Sequence, residues 1–125
     1  MRLLALILMT GPAFAADPIE GVWRTQANDA GGAALVEMAP CRAGFCGTVI
    51  GDVDAAGQRV PSGMQGSTII REVTGRDGLY TGGRVLNPET GRSYAARLVL
   101  DGDTLDVGGC LVGICRSGGI WRRVD

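Results

Sequence analysis

Histidine and lysine are both absent from this 125-residue chain. Without His the ordinary general base at neutral pH is missing, and so is the commonest metal ligand. Ser-His-Asp and Cys-His assemblies are excluded, and without Lys so is a Schiff base. No cofactor and no metal site is expected, and an enzyme is the least favoured class. An excess of one charge is also missing. The 12 basic residues, all Arg, meet 13 acidic ones, for a formal charge of -1. A nucleic-acid surface needs a dense basic field, so no nucleic-acid partner is expected. Aromatics make up only 5% of the chain, and no long stretch keeps a helical period.

What the chain does have is glycine, 21 residues of it. That is far above ordinary usage and marks a chain that turns often. It also has a leader-like start. Met1-Arg2 is basic, residues 3–9 are an unbroken apolar run, Gly11-Pro12 breaks it, and Ala13-Phe14-Ala15 offers small residues to a signal peptidase. This reads as a cleaved signal peptide over residues 1–15, followed by a single domain over 16–125. A membrane span needs about 20 apolar residues, so none is expected. Export to the periplasm, or secretion, is the expected location.

Cys41, Cys46, Cys110 and Cys115 form two Cys-x-x-x-x-Cys units. In an exported protein they are expected to be oxidised. Pairing within each unit is favoured, because a hairpin sets its flanking residues at a disulfide's Cα separation. Pairing between the units is the rival, and a four-thiolate metal site is the remote third. No Cys-x-x-Cys redox motif is present.

Short aliphatic or β-branched runs alternate with turn residues. They predict strands over residues 19–25, 34–41, 45–53, 67–73, 79–86, 92–100, 104–110 and 114–124. The sixth has the clearest period of two, with Tyr94, Ala96, Leu98 and Leu100 on one face. Sequential strands with short turns predict an all-β fold, a small eight-stranded antiparallel up-and-down barrel. Closure would remove exposed edges. Glycines inside strands suit its bends and bulges. Residues 54–66 have no pattern and read as a mobile loop near the barrel mouth.

Gly21-Val22-Trp23 opens the domain and Trp121-Arg122-Arg123 closes it. Gly-x-Trp on the first strand with Arg on the last resembles the kernel of the lipocalin-like (calycin) barrels. The resemblance implies that an Arg crosses the Trp at a closed barrel floor, built from Gly21, Trp23, Trp121 and Arg123. Arg122 falls on the opposite face by alternation. The wider pattern resembles the exported bacterial family known as domain of unknown function 2147. The matching stretches are Gly21-Val22-Trp23-Arg24-Thr25, Cys46-Gly47-Thr48-Val49-Ile50, Gly82-Gly83-Arg84-Val85-Leu86-Asn87-Pro88-Glu89-Thr90-Gly91-Arg92-Ser93-Tyr94 and Leu105-Asp106-Val107-Gly108-Gly109-Cys110. Cys115-Arg116-Ser117 follows them. The family pattern implies a lipocalin-like barrel and no established activity. It usually carries an Asn-Pro-Asp-type segment where this chain has the shorter residues 54–66.

Few side chains offer chemistry. Asp52-Val53-Asp54 with Gly57 lacks the ligands of a calcium loop and reads as a solvated turn. Arg84, Arg92 and Arg97 read as scattered surface charge, with an anion-binding mouth as the alternative. Tyr80, Tyr94, Leu98 and Leu105 are the candidate ligand contacts, although core packing also accounts for the tyrosines. The expectation is a barrel that holds one small apolar or amphipathic molecule in its lumen, gated by residues 54–66. The alternative is an envelope protein-interaction module working through its loops, such as a hydrolase inhibitor. Either would be a monomer or a weak dimer.

Overall fold

Over residues 16–124, which the computed structural model describes, the glycine-punctuated chain forms strands and no helix. They are β1 (Gly21–Arg24), β2 (Ala33–Cys41), β3 (Gly44–Val53), β4 (Arg59–Val60), β5 (Thr68–Arg76), β6 (Leu79–Thr81), β7 (Arg84–Leu86), β8 (Ser93–Asp101), β9 (Thr104–Leu111) and β10 (Ile114–Val124). The leader expected at residues 1–15 lies outside the described residues.

Every pairing is antiparallel. The neighbour order is β4-β3-β2-β1-β10-β9-β8-β6-β5-β7, and β3 also pairs β5 while β8 also pairs β7. The β3–β5 contact and the β1–β10 contact close the sheet into a barrel. β6 and β7 both lie between β5 and β8. They are two halves of one stave, and β4 is a flap on β3. The result is the expected closed, eight-stranded antiparallel barrel.

Two details differ from the sequence reading. The fifth predicted strand, 79–86, is broken. Gly82 has φ 83°, and a Cβ on Gly83 would stand 1.9 Å from the Arg71 carbonyl oxygen. Backbone meets backbone there, so the stave must interrupt its ladder. Residues 54–66, expected as a loose loop, are built. The Asp54 carboxylate accepts from the amides of Ala56 and Gln58 at 3.0 and 2.9 Å. Arg59 and Val60 then pair back on Val53 and Asp52. Ser62 caps the Met64 amide at 3.0 Å, and Gly66 bonds the Val49 carbonyl at 2.8 Å. Side-chain caps of this kind replace ladder bonds and give a polar segment a fixed shape.

Alternation decides what fills the barrel. Val36, Met38, Val49, Ile70, Val73, Tyr80, Ala96, Leu98, Leu105, Val107 and Trp121 are buried in one cluster with Ile19 and Trp23. Phe45, Met64, Val85, Leu86 and Leu100 pack on it from partly buried positions. Gly47 belongs to the packing, since a Cβ there would stand 2.8 Å from the Met38 sulfur. Gly118 is skipped in the β9–β10 register, the bulge expected of that glycine pair.

Candidate functional site

Strand direction sorts the connections into two ends. The segment before β1, the β2–β3, β5–β6 and β8–β9 turns, and the end of β10 share one end. Residues 25–32, 54–67 and 87–92 and the β9–β10 turn share the other.

The first end is a floor. Trp23 stands directly opposite Arg123 in the β1–β10 ladder. The Arg123 guanidinium carbon lies 4.3 Å from the Trp23 ring centre, in cation–π range. The same guanidinium donates to the Glu20 carbonyl at 2.9 Å and to the Pro18 carbonyl, and its Nε faces Asp103 at 3.3 Å. Trp23 Nε1 donates to the Ile19 carbonyl at 2.9 Å. Asp17 caps the Ile19 amide at 3.0 Å and accepts the Tyr80 hydroxyl. Residues 17–20 are thereby strapped across the barrel base, with Ile19 driven fully into the core. Burial, and then the Asp17 carboxylate, push the Tyr80 phenol well above its usual pKa. Of the four expected floor residues, Trp23 and Arg123 make the contact itself, and a Cβ on Gly21 would stand 3.0 Å from Arg123 Nη1. Trp121 is buried opposite Leu105, and Arg122 is exposed on the other face. The strap itself was invisible in the sequence, because it is held mostly by carbonyls.

Each end carries one disulfide. Cys41–Cys46 closes the β2–β3 hairpin at the floor, and Cys110–Cys115 closes the β9–β10 hairpin at the other end. Local pairing is therefore the observed one. Only the second pair is directly opposite in register, at a Cα separation of 4.0 Å. In the first, Cys46 faces Ala39 and Cys41 faces Gly44, so the bridge runs diagonally over 5.7 Å.

The interior is filled. Tyr80, Leu98 and Leu105 are almost wholly excluded from solvent inside the core cluster. They were candidate ligand contacts; here their surroundings are other core side chains, and Tyr80's hydroxyl is committed to Asp17. Met64 packs against the cluster from residues 54–67. Of the four, Tyr94 alone remains half-open, on the inward face of β8 toward the second end. Its Cβ lies over Gly109, where a Cβ would approach within 2.8 Å. The expected contact of Tyr80, Leu98 and Leu105 with a lumenal ligand is corrected accordingly: these side chains are packed against the core and leave no surface for one.

At the second end the β9–β10 hairpin tip is apolar and exposed. Leu111, Val112 and Ile114 are 63%, 93% and 64% exposed. Leu111 and Ile114 face each other across the hairpin, one step beyond the Cys110–Cys115 pair. Arg116 stands opposite Gly109, two residues past Ile114. The larger recess, about 190 Å³, is lined by Thr68, Ile69, Arg71, Arg84, Leu86 and Ser93 on the outer wall near this rim. The smaller, about 60 Å³, lies between Arg97, Asp106 and Arg116. Arg84 and Arg97 thus belong to different recesses. Among the described residues, no group of three or more His, Cys, Asp or Glu side chains is arranged to hold a metal ion, and no helix is long and apolar enough to cross a membrane.

The fold is shared with a Helicobacter pylori protein described as belonging to the lipocalin family. The TM-score is 0.62 at 16% identity, over 85% of this chain and 82% of that one. At that identity the likeness establishes the barrel alone. Among curated proteins no match is found. Residues 21–123 match the model of a family described as uncharacterised and conserved in bacteria, domain of unknown function 2147, and the chain belongs to that family.

Proposed function

We propose that the protein is a non-catalytic binding module of the bacterial envelope, exported to the periplasm, that takes a small amphipathic molecule at the rim of its barrel. The observation that carries this reading is the apolar hairpin tip at the second end, Leu111, Val112 and Ile114, presented to solvent at the end of the barrel where Tyr94 is half-exposed. Exposed apolar clusters of this kind mark interaction sites. Arg116 supplies a cation next to them. The packed interior favours a ligand on the rim over one in a deep lumen, which limits its size. The two disulfides fit an oxidising compartment.

The test is titration with fluorescent fatty-acid analogues of graded chain length. Wild type should bind one with micromolar affinity. Leu111→Ser with Ile114→Ser should weaken it about tenfold or more, since two apolar side chains each lose roughly 1 kcal/mol of contact. No uptake at any chain length overturns the reading. The exposure of Val112 supports a second reading, a protein partner docked on the tip. One stoichiometric partner recovered from periplasmic extract by wild type, and lost with Val112→Asp, would favour it.

A further inference from the structure

The outer wall carries a recess that the rim reading does not use. Its two cations stand side by side: Arg71 of β5 is the direct cross-strand partner of Arg84 of β7. Their neighbours Ile70 and Val85 point inward, so both guanidinium groups emerge on the outer face. Like charges directly opposite in a sheet repel. Among the described residues neither forms an ion pair. The one ion pair formed among the described residues is Arg123 with Asp103.

The backbone holds this pair in place at a cost. Glu72, next to Arg71, has φ 54°, an uncommon conformation for a side-chain-bearing residue. Opposite it, Gly83 comes so close to the Arg71 carbonyl that no other residue fits. Backbone outliers persist where surrounding structure enforces them, and they gather at functional sites. Arg84 is also oriented in advance. Its Nη2 donates to the Ser93 carbonyl at 2.9 Å and its Nε to the Ser93 hydroxyl at 3.3 Å. Thr68, Ser93, Ile69 and Leu86 complete the lining, and Ile69 and Leu86 also pack in or on the core cluster, so the recess reaches down to apolar side chains.

We infer that this recess binds an oxyanion, a phosphate or carboxylate head, with a short apolar tail lying along Leu86 and Ile69. Paired guanidinium groups suit such a head because planar donors bond its oxygens in parallel. An anion between Arg71 and Arg84 also removes their repulsion. The volume of about 190 Å³ is below that of a drug-sized pocket, so the tail is short. The site is separate from the hairpin rim.

Hexyl phosphate is the test probe, with inorganic phosphate and hexanol as comparison arms. Titration followed by backbone amide shifts in wild type should move Thr68, Arg71, Arg84 and Ser93 together and saturate. Inorganic phosphate should bind the same amides more weakly, and hexanol should leave them unmoved. Arg71→Gln and Arg84→Gln should each weaken hexyl phosphate about tenfold or more, the scale of one lost charge-assisted hydrogen bond. At low salt Arg71→Gln should also melt higher than wild type, because the repulsion is gone. The Leu111→Ser/Ile114→Ser variant should bind hexyl phosphate as wild type does, which separates this site from the rim. Shifts scattered elsewhere, or an unchanged titration in both Arg variants, overturns the site. Equal affinity for inorganic and hexyl phosphate overturns the apolar part. Wild-type shifts decide the matter even where a variant fails to fold.

Discussion

At the floor the β5–β6 turn is Asp77-Gly78, with φ 56° and 84°; at the rim the β9–β10 turn is Val112-Gly113, with φ 51° and 79°. The two hairpins reverse with the same left-handed pair of residues, the type I′ solution that matches strand twist. Each end also has a disulfide-closed hairpin. The side chains then diverge. The floor joins Arg123, Trp23, Asp17 and Tyr80 into a bonded set over a buried Ile19. The rim leaves three apolar side chains in solvent and puts a β-branched residue where Asp sits at the other end. One backbone device serves stability at the floor. At the rim it holds exposed side chains in a fixed display, and the strain there is tolerated rather than removed.

If the floor carries the stability, the largest losses should be there. Trp23→Ala removes a fully buried indole and should cost about 3–5 kcal/mol. Arg123→Ala removes a cation–π contact of about 0.5–2 kcal/mol and the carbonyl bonds that hold the strap, about 3 kcal/mol together. Arg122→Ala, on the exposed face, should fall within about 0.5 kcal/mol of wild type. Urea melts of all three measure the series. Equal midpoints for Arg122→Ala and Arg123→Ala would break the contrast between floor and wall.

The alkaline limb sharpens it. Tyr80 is held neutral in the folded barrel above its usual value of 10.0. A group whose folded pKa is raised contributes stability that is complete below the unfolded pKa and is lost as pH climbs above it. Wild-type stability should therefore hold up to about pH 10 and fall beyond it, because only the unfolded chain releases this proton. Tyr80→Phe should cost about 1 kcal/mol near neutral pH, for the lost bond to Asp17. Its own alkaline decline should be shallower, so the two curves converge as pH rises. Parallel curves would detach Tyr80 from the floor.

The sequence made the floor's kernel and the barrel legible for different reasons. Strands over residues 92–100 and 104–110 announce themselves by alternation; β8 is shifted from the first by one residue, and β9 exceeds the second by one residue at its C-terminal end. Trp23 and Arg123 were legible through a resemblance, because a cation–π pair joining the first and last strands leaves no periodic trace. The strap at residues 17–20 is held largely through carbonyls, which every residue has. The ordering of residues 54–66 depends on Asp54 and Ser62 caps, which resemble any polar loop until the partners are placed. The break in the predicted strand 79–86 falls where the Gly83 backbone packs so closely on the Arg71 carbonyl that no Cβ fits. No local pattern encodes that close approach, and the adjoining β5–β7 register sets Arg71 beside Arg84. The wall recess was therefore out of reach, although Arg84 itself drew attention.

The smallest expected effect tests the comparison most directly, because it exchanges the two turns. Left-handed backbone costs a side-chain-bearing residue about 1–2 kcal/mol, least for Asn and Asp, whose short polar side chains bond locally. Val112→Asn should therefore raise stability by about 0.5–1 kcal/mol, and Asp77→Val should lower it by a similar amount. Both changes lie at exposed turns, so packing contributes little to either. The Val112 gain should come with weaker binding of the fluorescent fatty-acid analogue, since an apolar contact leaves the rim. The Asp77 loss should leave that binding unchanged, since the floor is remote from it. A Val112→Asn protein that is no more stable than wild type would show that the clamped hairpin relaxes without cost. The rim would then be an ordinary turn, and the strain at Val112 would no longer separate the two ends.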